Sequence, residues 1–208
     1  MTRSVQLAVK HVLDRALSAI LLALLTPLML VLSAAIMLES GRPALFVQTR
    51  VGRNERLFRA YKFRTMVQGA SQQGLGTTVA IRDDRITRVG AFLRTWSLDE
   101  LPQLLNVLKG EMSLVGPRPT LDYQVAQYTP FQRRRLEVNP GVTGWSQVNG
   151  RNALTWPQRI ELDVWYVDHF SLALDARILF RTIGVWLRRE GLYGPDGVND
   201  DFVHKEQA

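Results

Sequence analysis

The sequence predicts an α+β, mainly helical, monotopic membrane protein. It has an N-terminal re-entrant helix broken at a proline, a small β-hairpin and interfacial amphipathic helices. Three observations carry this reading. Ala16 to Leu38 holds no charged residue and exceeds the roughly 20 residues a helix needs to cross a bilayer. Ala44 to Gln48 and Leu57 to Phe63 read as two strands around a Gly52-Arg53-Asn54 turn. Leu172 to Arg189 sets Arg177, Arg181 and Arg188 on one helical face with Leu179, Ile183 and Trp186 opposite, an interfacial pattern that a domain helix with a salted outer face also produces.

The apolar run is too long for the h-region of a signal peptide. Pro27 inside it withholds an N–H from the Ala23 carbonyl and is expected to bend the helix, while Thr26 can bond back to a freed carbonyl. Arg3, Lys10, His11 and Arg15 precede the run, and Arg42, Arg50, Arg53, Arg56, Arg59, Lys62 and Arg64 follow it. Positive residues prefer the cytoplasmic side, so a helix that turns back at Thr26-Pro27 keeps both flanks there. A membrane-crossing helix with a proline kink is the alternative. Asp14 and Arg15 lie at headgroup level, placed to pair across a turn. The chain divides into an anchor (1–40), a cytoplasmic-face catalytic domain (41–190) and a C-terminal tail (191–208).

Within the domain, Lys62 and Arg64 alternate with Phe63 and are expected on one face of the return strand. Gln68 to Gly76 reads as a polar loop, and Asp83 and Asp84 form a paired-charge turn with their flanking arginines. Pro102 is tolerated only in a first turn, so a helix begins just upstream of it, with Ser97 or Asp99 as N-cap. Asp99 and Glu100 then sit where the helix dipole favours anions. Pointing about 100° apart, they cannot do the same work on one atom. Ser97-Leu98-Asp99-Glu100 also reads as a capping box. Leu101, Leu104, Leu105 and Leu108 recur at core spacing, and Gly110 supplies a left-handed stop. Val115-Gly116-Pro117-Arg118-Pro119 is neither regular helix nor central strand and holds one guanidinium between two prolines, preset for a phosphate. Leu121 to Leu136 is helix-like with a basic cluster, Arg133 to Arg135, read as solvated. Trp145 reads as packing, and His169 has no partner at metal spacing.

With 208 residues, one domain plus an anchor is expected. The absence of cysteine excludes disulfides, thiolate metal sites and a cysteine nucleophile. A net charge of +7 and a pI near 10.2 call for an anionic partner. Nucleic acid is the weakest choice, since no reading motif accompanies the charge. A non-catalytic, membrane-anchored basic scaffold explains anchor and charge but leaves the acid pair and Arg118 without a use.

The stretch SLDELPQLLNVLKGEMSLVGPRP, from Ser97 to Pro119, resembles the central motif of the monotopic phosphoglycosyl transferases, in a small form consisting of the catalytic domain alone. YKFRTM, the D-x-R-I-T-x-x-G run and P-G-x-T-G-W-x-Q-x-x-G-R extend the resemblance, with Thr-Pro where the family usually has Ser-Pro. It implies transfer of a sugar-1-phosphate from a UDP-sugar to undecaprenyl phosphate with release of UMP, the first membrane step of bacterial glycoconjugate synthesis. By the same resemblance Asp99 is the nucleophile that forms an aspartyl-phosphosugar, and Glu100 holds Mg2+. Lys62, Arg94, Arg118 and Arg151 are expected to bind substrate, and Asp163 to act with them by orienting an arginine. The implied setting is the cytoplasmic face of the bacterial inner membrane, in contact with its lipids. The sugar is not legible in the chain, and a homodimer is compatible with it.

Overall fold

In the computed structural model, residues 2–72, 79–80, 83–188, 191 and 198–199 are described. Helix α1, Arg3–Ser40, ends at Gly41, whose φ of 81° lets its N–H reach back to the Met37 carbonyl at 3.0 Å. The helix passes through Pro27 without losing helical structure, so the expected break at Thr26-Pro27 is not an interruption of the helix. Thr26 Oγ1 donates to the Leu22 carbonyl at 2.6 Å, and both Pro27 and Ala23 face outward, where the missing bond disturbs no packing. Continuity is enforced by one stripe that docks on the domain from end to end. Arg3 donates to the Val167 carbonyl at 2.8 Å and Lys10 to Asp175 at 2.6 Å. Leu22 and Leu25 pack on Leu104 and Val107, and Leu32 and Ile36 on Phe63 and Leu93. Glu39 accepts from the Arg88 and Val89 amides at 2.8 and 2.9 Å. The opposite face leaves Leu17, Ile20, Leu24, Leu28 and Val31 exposed. Asp14 does not pair with Arg15; it takes Lys10 at 3.5 Å and the Ser113 hydroxyl, both buried beneath the helix.

Strands β1, Leu45–Val51, and β2, Leu57–Phe63, pair antiparallel with Leu45 opposite Phe63 and Val51 opposite Leu57, around a turn where Asn54 is left-handed at φ 53°. The hairpin forms where expected, its first strand running on to Val51 instead of ending at Gln48, but Lys62 and Arg64 part company. Arg64 lies past the strand end and donates to the Ser40 carbonyl at 3.0 Å, closing the C-terminus of α1, whereas Lys62 turns to Glu100. Ala70–Gln72 forms one 3-10 turn of the polar loop, and the Gly74-Leu75-Gly76 part of it lies outside the described residues. Strand β3, Val79–Ala80, pairs with β6, Val198–Asn199; most of the expected tail lies outside the described residues. Asp83 grips Arg85 through both carboxylate oxygens at 2.8 and 2.7 Å, the paired-charge turn read from the sequence.

Helix α2, Arg88–Thr95, is capped by Thr87, whose hydroxyl accepts from the Gly90 amide at 2.9 Å. Gly90 is required by proximity: a Cβ there falls 2.0 Å from the Thr65 carbonyl oxygen. Gly90→Ala gains about 1 kcal/mol of helix propensity and meets an overpacking cost of about 1–3 kcal/mol against a backbone that cannot yield. The net expectation is a lower melting temperature, read by thermal unfolding in detergent.

A 3-10 turn, Leu98–Gln103, leads into α3, Leu104–Lys109, and Gly110 ends it at φ 81° as expected. Leu104 and Val107 are core, while Leu105 is half-buried and Leu108 exposed, so only part of the expected leucine stripe reaches the core. Strand β4, Ser113–Val115, pairs in parallel with β5, Gly141–Thr143, and carries the chain into Gly116-Pro117-Arg118-Pro119. Between them lie α4, Asp122–Val125, α5, Pro130–Arg133, and a 3-10 turn, Arg134–Glu137. The basic cluster there is not all solvated. Arg133 meets Glu55 at 2.6 Å on the surface, but Arg135 is only 2% exposed. After α6, Trp145–Val148, come α7, Trp156–Asp168, opened by a Thr155/Gln158 capping box, and α8, Leu172–Arg188. Trp145 packs, stacked on Trp165 at 5.0 Å, and His169 also stacks on Trp165, at 4.2 Å. On α8, Leu174, Asp175 and Ile178 face the core, while Phe180, Ile183 and Leu187 are left exposed.

Candidate active site

The adjacent acids sit at the start of the 3-10 turn that follows Ser97. Ser97 is left-handed at φ 51° and makes no side-chain cap, so the expected capping box does not form; its hydroxyl accepts instead from Arg151 Nη2 at 3.0 Å. In a 3-10 turn neighbouring side chains diverge even more than in an α-helix. Asp99 accordingly faces a polar cavity and Glu100 turns inward.

Glu100 is buried, and its Oε1 accepts from Lys62 Nζ at 2.8 Å and from Arg118 Nη2 at 2.9 Å. Burial raises its pKa, but Arg118 first and Lys62 next more than offset this, and the carboxyl is held far below the usual range. Asp99 moves the other way. Burial raises its pKa, Lys62 opposes, and the neighbouring Glu100 charge raises it further. Arg94 and Arg118 pull the Asp99 pKa down, but burial outweighs them. Burial lowers the pKa of Lys62, with Glu100 pulling it back up. Two adjacent carboxylates are thus driven to opposite sides of their ordinary values, as expected of groups with different tasks.

Arg118 is held by more than its prolines. The Pro117 carbonyl accepts from the Gly141 amide at 2.8 Å, the Pro119 carbonyl from Arg50 at 3.2 Å, and the Arg118 carbonyl from Arg135 at 3.1 Å. Arg135 is clasped by Asp163 and by the Tyr128 hydroxyl at 2.7 Å, and Asp163 takes the Ser146 hydroxyl at 2.7 Å. Asp163 therefore orients an arginine, but from beneath the site; it lines neither of the two cavities described next.

A polar cavity of about 340 Å³ is lined by Asp99, Lys62, Arg94 and Arg118, with Arg50 and Arg159 also on its wall. Arg94 is steadied by its Nε bond to Thr65 Oγ1 at 3.0 Å. An apolar cavity of about 330 Å³ lies on the other side of the acid turn, with Glu100, Arg118 and Arg151 at one end and Leu21, Leu25, Leu101 and Leu104 along it. Arg118 lines both. Arg50 and Arg135 are read from the sequence only as flank and surface charge, and Arg159 is not singled out at all. Nothing local marks them, since a surface arginine and a buried one have the same neighbours in sequence.

Among the described residues no group of three or more His, Asp or Glu gathers as a ready-made metal site. The donor chemistry nonetheless suits Mg2+. Both hydrogen bonds to Glu100 fall on Oε1, leaving Oε2 as a hard oxygen ligand, and Mg2+ commonly uses one or two carboxylates with substrate phosphates and water.

Compared with known proteins, residues 5–189 match the family described as bacterial sugar transferase. The chain is 45% identical over 183 residues to the uncharacterized sugar transferase EpsL of Bacillus subtilis, covering 88% of this chain and 89% of that one. It is 42% identical to the undecaprenyl-phosphate galactose phosphotransferase of Salmonella typhimurium, covering 88% of this chain but 41% of the relative. Identity to the UDP-glucose:undecaprenyl-phosphate glucose-1-phosphate transferase of Caulobacter vibrioides is 45%, over 88% of this chain and 72% of the relative. The chain thus spans less than half of some of these relatives and most of others.

Proposed function

Because the chain belongs to the bacterial sugar transferase family, we propose that it transfers a sugar-1-phosphate from a UDP-sugar to undecaprenyl phosphate and releases UMP. The observation that carries this reading is the separation of roles at Asp99 and Glu100: one acid faces a cation-lined cavity, the other is locked between Lys62 and Arg118. The diphosphate of the donor lies against Lys62, Arg94 and Arg118. An Asp99 oxygen attacks the sugar-bearing phosphorus, the bond from that phosphorus to the UMP oxygen breaks, and UMP departs with the electron pair. An oxygen of the lipid phosphate then attacks the same phosphorus, and the Asp99–phosphorus bond breaks to restore the carboxylate. Glu100 is the residue that would hold Mg2+, which when bound would neutralise part of the diphosphate charge.

The raised pKa of Asp99 serves the attack, since a more basic carboxylate is the better nucleophile once ionised. A monotopic seat on the cytoplasmic face is supported by the two ends of α1. Arg3 and Lys10 before the apolar run, and Glu39 and Ser40 after it, are all tied to the same domain. In a span these ends would lie on opposite sides of the hydrocarbon, and one domain could not hold both.

The test is UMP release by detergent-solubilised protein given UDP-sugars, Mg2+ and undecaprenyl phosphate. Release with several-fold preference for one sugar is expected, together with loss on chelation and recovery on adding Mg2+; no release with any UDP-sugar defeats the reading. The pH profile of that rate has a definite sign. Asp99 must be ionised, and its pKa is raised above 3.8, so the rate falls on the acid side at a pH higher than that. Lys62 must be charged, and its pKa is lowered from 10.5, so the alkaline fall comes earlier than for a free lysine. Lys62→Arg is expected to move the alkaline limb upward and leave the acid limb in place.

A further inference from the structure

Five buried polar side chains from four elements meet beneath the first turns of α1, and the transfer chemistry uses none of them. Lys10 and Asp14 come from α1, Ser113 from β4, Tyr166 from α7 and Asp175 from α8, and none is more than 7% exposed. We propose that this cluster is a positioning device for the reaction: it fixes the register of α1, holds β4 and, through β4, sets the guanidinium of Arg118. This rests on the donor half-reaction proposed above, in which Arg118 faces the diphosphate.

The contacts close on one another. Lys10 Nζ lies 2.6 Å from Asp175 Oδ2 and 3.5 Å from Asp14 Oδ2. The Tyr166 hydroxyl gives to Asp175 Oδ1 at 2.7 Å, and the Ser113 hydroxyl gives to Asp14. One cation thus serves two carboxylates, and two hydroxyls supply the further donors. A buried polar network of this kind is high-stakes, because one orphaned charge in it is strongly destabilising. Sliding α1 by one residue moves it about 1.5 Å and turns it about 100°. Lys10 and Asp14 would then leave their partners. Hydrocarbon contacts are non-directional and fix register less sharply. The far end of α1 docks in just that way, Leu32 and Ile36 on Phe63 and Leu93.

Strand β4 carries the register to the site. It runs from Ser113 to Val115 and straight on into Gly116-Pro117-Arg118. Its start is held twice, by the Ser113 amide giving to the Pro140 carbonyl at 2.8 Å and by the hydroxyl on Asp14. Its end is met by the Tyr166 hydroxyl, 3.4 Å from the Val115 carbonyl. Gly116 then gives its amide to the Thr143 carbonyl at 2.9 Å, and a Cβ on it would fall 2.4 Å from the Asn139 carbonyl oxygen. So tight a passage leaves little room to absorb a shift before Arg118. The same helix reaches the site a second time, where Leu22 and Leu25 pack on Leu104 just after the acid turn.

The experiment is acceptor-free, single-turnover UMP release at saturating UDP-sugar, with full chains in nanodiscs held well below their melting temperatures. Ser113→Ala removes one hydroxyl and leaves every cavity residue in place; its rate is expected to fall about tenfold, the scale of a small misplacement. In an Arg118→Lys background the same change is expected to cost almost nothing more, because the group it positions is gone. An unchanged rate in the single variant, or additive losses in the cycle, overturns the assignment. Should Ser113→Ala not fold, Asp14→Asn takes its place in the cycle, with the same expectation. Ile36→Val loosens the apolar end of the helix seat and is expected to lower the melting temperature with the rate unchanged. A rate loss there equal to that of Ser113→Ala shows that any loosening of α1 suffices, and rejects a role peculiar to the cluster. Amide hydrogen exchange reads the coupling without catalysis: Gly116 and Arg118 are expected to exchange faster in Ser113→Ala, and equal exchange rejects the coupling. Wild-type protein that releases no UMP while this difference persists defeats the transfer reading alone.

Discussion

Asp99→Asn is expected to abolish the covalent phosphosugar adduct and to slow UMP release by about 10⁴-fold or more, the scale on which removal of a nucleophile acts. The substitution is nearly isosteric, and among the described residues no ion pair within 4 Å holds Asp99, so the fold has little to lose. Binding of the UDP-sugar survives in this variant, because the cations that face the diphosphate, Lys62, Arg94 and Arg118, are untouched. Glu100→Gln is the informative contrast. It weakens two ion pairs at once and is expected to disturb donor binding and Mg2+ dependence together. Intact-protein mass spectrometry after mixing with donor alone reads the adduct directly. An Asp99→Asn protein that still releases UMP at the wild-type rate removes Asp99 from the nucleophile's role.

Arg135→Met is expected to be the most damaging substitution away from the cavities. Arg135 and Asp163 are 2% and 1% exposed, and removing one partner leaves the other charge buried. Breaking such a pair costs about 3–5 kcal/mol, which for a chain of this size lowers the melting temperature by roughly 10 °C. The pKa of Asp163 is already raised by burial, with Arg135 opposing, so the lone carboxyl protonates and part of the cost is met by proton uptake. Replacing both residues, as Arg135→Met with Asp163→Leu, is expected to recover much of the stability, since a packed apolar pair often equals a buried ion pair. Activity is not recovered, because the Arg118 carbonyl still lacks its donor at 3.1 Å. Thermal unfolding beside UMP release separates the two effects; full activity in the double variant shows that Arg118 needs no support from below.

Much of the site was legible in the chain because its signals are local. Gly110 had to end a helix, the two prolines had to take Arg118 out of regular structure, and adjacent acids on a tight turn had to point apart. Local signals failed wherever one residue had two satisfactory partners. Ser97 reads equally well as a cap for its own turn and as an acceptor for Arg151, 54 residues away, and folding chose the latter. Arg135 sits in a run of three arginines whose sequence surroundings barely differ, yet it alone is buried.

Periodicity and backbone stereochemistry were sufficient to set the long apolar helix, the hairpin and the stop at Gly110, since each depends on residues a few positions apart. The company each charge keeps was set by the folded chain: Lys10 with Asp175 across 165 positions, Asp14 with Ser113 across 99, Lys62 with Glu100 across 38. Coulomb and hydrogen-bond energies depend on distance in space and on how much water is excluded, and neither quantity exists until the elements have packed.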